Sequence, residues 1–180
     1  QFSKEETQQL IELAMQSPSS FNIQHWRLVN VTDKALRTQL RAAAHDQAQV
    51  TDASLLFVLA VDIKAWSKDP ARYWVNAPKE AQDILVPWIN PFYSGDEQLQ
   101  RDEAMRSAGI LLQTMMLAAK GMGYDSCPMV GFDFKKVAEL VHLPKDFALA
   151  AMLPIGKATK PAWPKPGFIP QSEMIVENHF

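Results

Sequence analysis

Leu55-Leu56-Phe57-Val58-Leu59-Ala60-Val61, flanked by Ser54 and Asp62, carries the fold of this 180-residue chain. Seven apolar residues in a row have the length of a strand, and no polar residue interrupts them to mark a solvated face. Such a run reads as a strand covered on both sides, so the two covering layers must come from elsewhere in the chain.

Upstream, Trp26 to Val31 alternates as a strand with Trp26, Leu28 and Asn30 on one face, and downstream Phe147 to Ile155 reads as a third, apolar strand. Ser3 and Glu6 form a capping box opening a helix whose face is Leu10, Leu13 and Ala14, until Ser17-Pro18 stops it. Asp33 caps a second helix with Leu36 and Leu40 inside, and Asp133 a short one holding Val137, Leu140 and Val141. Asp96 opens the longest helix, which runs to about Lys120 and ends at Gly121 or Gly123. At 1.5 Å per residue, about 25 residues reach across a small domain. Its middle, Ala104 to Ala119, is apolar nearly all round, which predicts a central position. Ala65 to Gly95 is an aromatic excursion with prolines at 70, 78, 87 and 91, expected to hold one or two short helices. Prolines at 161, 164, 166 and 170 force an extended tail, with Met174 to Val176 as a last edge strand. The order predicts an α+β fold of one domain over 1–180, helices flanking a mostly antiparallel sheet, with 158–180 an extended C-terminal arm. An arm without its own core calls for another surface, and a second copy of the chain is the expected one.

Composition narrows the function. Apolar residues make up 47% and charged residues 21%, which is ordinary globular chemistry. With 18 basic and 20 acidic residues the net charge is −2, so no basic footprint for nucleic acid exists. Ser107 to Ala119 is a thirteen-residue run without charge, short of the roughly 20 residues that span a bilayer. No signal peptide opens the chain, and Cys127 is its single cysteine, which suits a reducing cytoplasm. The histidines at 25, 45, 142 and 179 are scattered, and no metal site is predicted. No dinucleotide fingerprint, P-loop or nucleophile elbow occurs. If the chain is an enzyme, a bound cofactor is expected to break the bonds.

Three polar segments qualify as its bed. Pro18-Ser19-Ser20-Phe21-Asn22-Ile23-Gln24-His25-Trp26 offers two hydroxyls and two carboxamides, a neutral set that suits the carbonyls and ring nitrogens of a heterocycle. His45-Asp46-Gln47-Ala48-Gln49-Val50 adds further hydrogen-bonding side chains before the buried strand. Cys127-Pro128-Met129-Val130-Gly131-Phe132 offers an apolar wall with a glycine for close backbone approach. Taken singly, each also reads as an ordinary turn, helix end or loop.

Together, and in this order, they resemble the FMN-dependent nitroreductase family. Its members carry Pro-Ser-Ser-x-Asn-x-Gln-Pro-Trp after the first helix, and this chain has that segment with His25 in place of the proline. The similarity continues through Asp46 to Val50, Asp52-Ala53-Ser54, Gly121 to Ser126, Gly131-Phe132-Asp133 and Ile155-Gly156 into the basic, proline-rich tail.

The resemblance implies an interlocked homodimer with FMN in a groove between the two chains. It places Ser19, Ser20, Asn22 and Gln24 on one subunit's side of the flavin, and Asp46, Gln49 and Pro128-Met129-Val130-Gly131 on the other's. It makes Gln49 a donor to the pyrimidine edge and aims the backbone N–H of Val130 at flavin N5, the hydride acceptor. Asp46 stands where the family usually has Asn; a carboxylate accepts from the flavin N3–H but cannot donate, and beside the ring it opposes extra electron density, the alternatives being that it points to solvent or pairs with a basic residue such as Arg41. Lys165 matches a phosphate-binding lysine, whereas Gly167 replaces the arginine that often follows it. The family's arginine-rich phosphate-binding strand falls before Gln1, so Lys165 acting alone implies only weak phosphate affinity, and residues upstream of Gln1 are the alternative source of those arginines. The implied activity is ping-pong: NADH or NADPH delivers hydride, leaves, and a nitroaromatic, quinone or similar small-molecule acceptor takes two electrons at the same site. Trp66, Tyr73, Phe92 and Tyr93 are then candidates for the acceptor wall, or plain packing. The alternatives are a flavin-binding relative with another acceptor, of dehalogenase or ene-reductase type, and a non-enzymatic dimeric binding protein.

Overall fold

The computed structural model describes residues 2–180; Gln1, first residue of the expected domain, lies outside the described residues. In chain order the elements are α1 (Lys4–Ala14), β1 (Trp26–Asn30), α2 (Lys34–Ala43), α3 (Gln49–Asp52), β2 (Leu55–Asp62) and α4 (Lys79–Tyr93). They continue with α5 (Glu97–Gly121), β3 (Asp125–Ser126), α6 (Phe134–Leu140), β4 (Phe147–Gly156) and α7 (Gln171–Met174). The four strands form one sheet in the order β1-β2-β4-β3, and every pairing is antiparallel.

β2 is buried at all eight positions, which is what its unbroken apolar run demands. Successive side chains alternate faces, so Leu55, Phe57, Leu59 and Val61 pack with α1 and α5 through Leu10, Ala14, Ala104, Leu111 and Met115. Leu56, Val58 and Ala60 face the other way, onto Leu40, Val50, Met129 and Val137 from α2, α3, the loop before α6, and α6. Each such Leu, Val or Phe side chain, fully buried, contributes about 1.5–3 kcal/mol, so the central strand holds both layers.

Local chemistry sets the helix ends. Ser3 Oγ accepts from the Glu6 N–H and Glu6 Oε2 from the Ser3 N–H, the reciprocal box the spacing predicts. Asp96 Oδ1 accepts from the Leu99 N–H, and Gly123, at φ +80°, gives the left-handed turn after α5. The Arg37 guanidinium is buried and donates to the carbonyls of Val31, Ala53 and Ser54, tying α2 to the entry of β2. Burial lowers its pKa.

Three expectations are corrected. Proline density in the excursion predicts only one or two short helices, yet α4 runs fifteen residues with Pro87 and Pro91 inside it. Each proline lacks an N–H, and the helix persists because Ile89 and Tyr93 are wholly buried against Ile23, Ala65 and Trp66. The middle of α5 is not covered all round within one chain: Ala104, Ala108, Leu111, Met115 and Ala119 are buried, whereas Ile110 and Leu117 are exposed. Met174 to Val176 form no strand among the described residues; Pro170 leads instead into the single turn of α7, and all three residues are exposed. From Lys157 onward every residue is exposed.

Candidate active site

The segment after α1 is a tight 3₁₀ turn, Ser20–Asn22, with Phe21, Asn22 and Gln24 all in the left-handed region at φ 48°, 55° and 51°. Asn tolerates that conformation; Phe and Gln adopt it at a cost, and such outliers persist only where surroundings over-determine them. Here they do. Ser19 Oγ accepts from the Gln24 N–H at 3.0 Å, Asn22 Nδ2 donates to the Tyr73 carbonyl at 2.7 Å, and Trp74 Nε1 donates to the Phe21 carbonyl at 3.0 Å. Ile23, 0% exposed, roots the turn in the aromatic cluster of α4. The excursion therefore braces this turn from behind. Phe21 also meets Phe92, ring centroids 5.2 Å apart.

The second segment follows α2. His45 and Asp46 are left-handed at φ 54° and 56°, and the Asp46 carboxylate takes a hydrogen bond from Arg41 Nε at 2.7 Å. That bond raises the Arg41 pKa. Gln47 then reaches across to the third segment, its Nε2 donating to the Gly131 carbonyl at 3.1 Å. Gln49 Nε2 donates to Gln47 Oε1 at 3.1 Å and lies 3.7 Å from Met129 Sδ. Met129 is fixed by a two-way backbone bridge to Met152 of β4. Beyond it the chain leaves the sheet, so the Val130 side chain is 65% exposed and its N–H has no acceptor among the described residues. A Cβ on Gly131 would meet Gln47 Nε2 at an ordinary 3.7 Å, so packing within this chain does not itself require the glycine. Cys127 is exposed and lines a groove with Gln49, Met116, Leu117 and Lys157.

Of the residues predicted for the site, Asp46, Gln49, Pro128, Met129, Val130 and Gly131 belong to one assembly, fastened through Gln47. Ser19, Ser20, Asn22 and Gln24 belong to another. Their turn leads into Trp26, which pairs with Val61, whereas α3 leads into Leu55, six residues away along β2. At about 3.3 Å per residue the two sheet ends are about 20 Å apart. No hydrogen bond joins the two groups among the described residues. Lys165 lies in the exposed arm, its Nζ 5.0 Å from the centre of the Phe168 ring. Sequence reasoning missed Gln47 and the bracing by Tyr73 and Trp74; Gln47 sits between two chosen residues, and only contacts 84 and about 50 residues distant expose these roles.

Behind the first turn lies a cluster of buried side chains with polar atoms. His25 is 0% exposed, and neither ring nitrogen has a partner among the described residues; Tyr93 Oη and Trp66 Nε1 share that condition. The Trp66 and Tyr93 rings stack at 5.8 Å. Desolvation pushes His25 down to about 4, so the imidazole is neutral at pH 7.

With the geometry in hand, relatives sharpen the class. The model of the nitroreductase family matches residues 2–157. Protein DrgA of Synechocystis sp. is 54% identical over 176 residues, covering 95% of this chain and 84% of that protein. MhqN of Bacillus subtilis, named as an NAD(P)H nitroreductase, is 32% identical over 161 residues, covering 86% and 78%. A structure from Exiguobacterium sibiricum, described as a nitroreductase in complex with FMN, superposes with a TM-score of 0.88 at 28% identity, covering 98% and 87%. The chain belongs to the nitroreductase family. Among the described residues no helix is long and apolar enough to cross a membrane.

Proposed function

We propose that the protein is an FMN-dependent oxidoreductase that draws electrons from NADH or NADPH and delivers them to nitroaromatic, quinone or similar small acceptors, donor and acceptor using one site in turn. The observation that carries this reading is the donor set: neutral amides, hydroxyls and a backbone N–H without an acceptor among the described residues, matched to the polar edge of a flavin. FMN bound to the Exiguobacterium relative and the NAD(P)H of the name MhqN supply the cofactor and donor for this proposal. When bound, FMN supplies the hydride-accepting chemistry.

The working unit is a homodimer. In one chain the two halves of the donor set lie at opposite sheet ends, α5 leaves Ile110 and Leu117 uncovered, and the arm, tied to the body by the Ala158 N–H on Asp125 Oδ2, is exposed along its whole length. A second copy brings the Ser19–Gln24 turn of one chain to the Asp46–Gln49 and Pro128–Gly131 assembly of the other. Ser19, Ser20, Asn22 and Gln24 then hold FMN from one side, Asp46 and Gln49 from the other, and Lys165 serves its phosphate. The Val130 N–H donates at the ring, and the Val130 side chain and Met129 exclude water beside it.

Protein reconstituted with FMN and kept anaerobic tests the proposal. NADH or NADPH should bleach the visible flavin bands, and a nitroaromatic or quinone should restore them. Bands that persist after both nicotinamides are added would overturn it.

A further inference from the structure

The turn from Arg41 to Asp46 is closed twice. Its backbone is shut by the Arg41 carbonyl, which accepts from the N–H groups of Ala44 and Asp46, both at 3.0 Å. Its side chains are shut by Arg41 Nε on Asp46 Oδ1 at 2.7 Å. Arg41 Nη1 also donates to Thr51 Oγ1 at 3.0 Å, and that hydroxyl lies 2.8 Å from Asp52 Oδ1. One guanidinium thus links the turn to α3, the helix that carries Gln49. The carboxylate at position 46 does not face the site as a bare charge.

We infer that Arg41 is the counter-charge for Asp46, a positioning residue that sets the electrostatic field of the pair on the bound flavin. This rests on the flavin site proposed above. Reduction adds negative charge to the ring. An uncompensated carboxylate beside it opposes that addition, and an uncompensated guanidinium favours it. Paired, the two act at a distance as a dipole of small net effect, and the site behaves much as a neutral amide would make it. The pair is exposed and contributes little to folding stability. The backbone closure survives removal of either side chain, and Asn at position 46 accepts the left-handed conformation as readily as Asp. The variants therefore fold, and their effect appears at the flavin.

The test is a charge cycle on FMN-loaded homodimer: Arg41→Gln, Asp46→Asn, the double variant and Arg41→Lys, each read by dye-coupled midpoint potential and by fluorescence titration of oxidised FMN. Arg41→Gln should disfavour reduced over oxidised FMN by roughly tenfold, about 30 mV lower for the two-electron couple. Asp46→Asn should shift the potential upward by a similar amount. The double variant should return to within a few-fold of the parent, and Arg41→Lys, which keeps the charge, should stay there too. Arg41→Gln and Asp46→Asn moving in the same direction, or neither moving while FMN stays bound, would overturn the inference alone. A parent that quenches no FMN fluorescence would overturn the flavin reading, and this inference with it.

Discussion

The body of the molecule, residues 2–157, and the arm, residues 158–180, both carry many apolar side chains but place them in opposite ways. In the body, β2 buries all eight of its residues and both faces are closed by helices of the same chain. In the arm, Trp163 is 93% exposed and Phe168 82%, with Ile169 and Met174 likewise uncovered. Large aromatics left in water are anchors awaiting a surface. The body buries its apolar side chains within one chain, whereas the arm leaves its own in water. The two halves of the candidate site both belong to the body, about 20 Å apart along β2.

Deleting 158–180 should break the comparison most strongly. The full chain is expected at twice 20.2 kDa in sedimentation equilibrium, and the truncated chain as a folded monomer at micromolar concentration. Phe57→Ala is the counterpart in the body. It should cost about 3–5 kcal/mol in denaturant unfolding, because a fully buried ring at the centre of the sheet leaves a cavity. An arm deletion that left the mass doubled would show that the body alone holds the dimer.

His25 sharpens the comparison within the body. The folded chain keeps its imidazole neutral down to about pH 4, whereas in the unfolded chain it protonates near 6.5. The unfolded state thus binds more protons between those values. Stability from this group is whole above pH 6.5 and drains away as pH falls towards 4, a loss of about 3 kcal/mol. His25→Leu should remove that part of the acid dependence and, by replacing two unpartnered nitrogens, stabilise the protein at pH 7 by about 1 kcal/mol. Thermal melts of both proteins across pH 4 to 7 check it, and parallel pH profiles would contradict it. The smallest effect belongs to the brace between excursion and turn. Trp74→Phe removes one donor to the Phe21 carbonyl and should weaken FMN binding by about 1 kcal/mol, read by fluorescence titration.

Much of the fold was legible because its signals are local. The capping box at Ser3 and Glu6, the caps at Asp33, Asp96 and Asp133, and the unbroken run of β2 each depend on neighbours within a few residues. α4 was not, because Pro87 and Pro91 argue locally against a helix that the burial of Tyr93 and Ile89 enforces from a distance. The same division runs through the site. The carboxamides at 22, 24 and 49 were visible as residue types, but Gln47 gains its role only by meeting Gly131, 84 residues on. Nothing in the sequence near Asp46 distinguishes an aspartate that faces a ligand from one held by Arg41.

Mixed dimers test most directly whether one site is built from two chains. Asn22→Ala and Gln49→Ala homodimers should each bind FMN weakly, since every site in each carries the substitution. Unfolded together and refolded, they form heterodimers in which one site takes Asn22 and Gln49 from the two unsubstituted segments. Titration should then recover parent-like affinity at one site in each heterodimer, with the other site doubly impaired. If no tight site appears after mixing, the two halves belong to a single chain and the shared site is wrong.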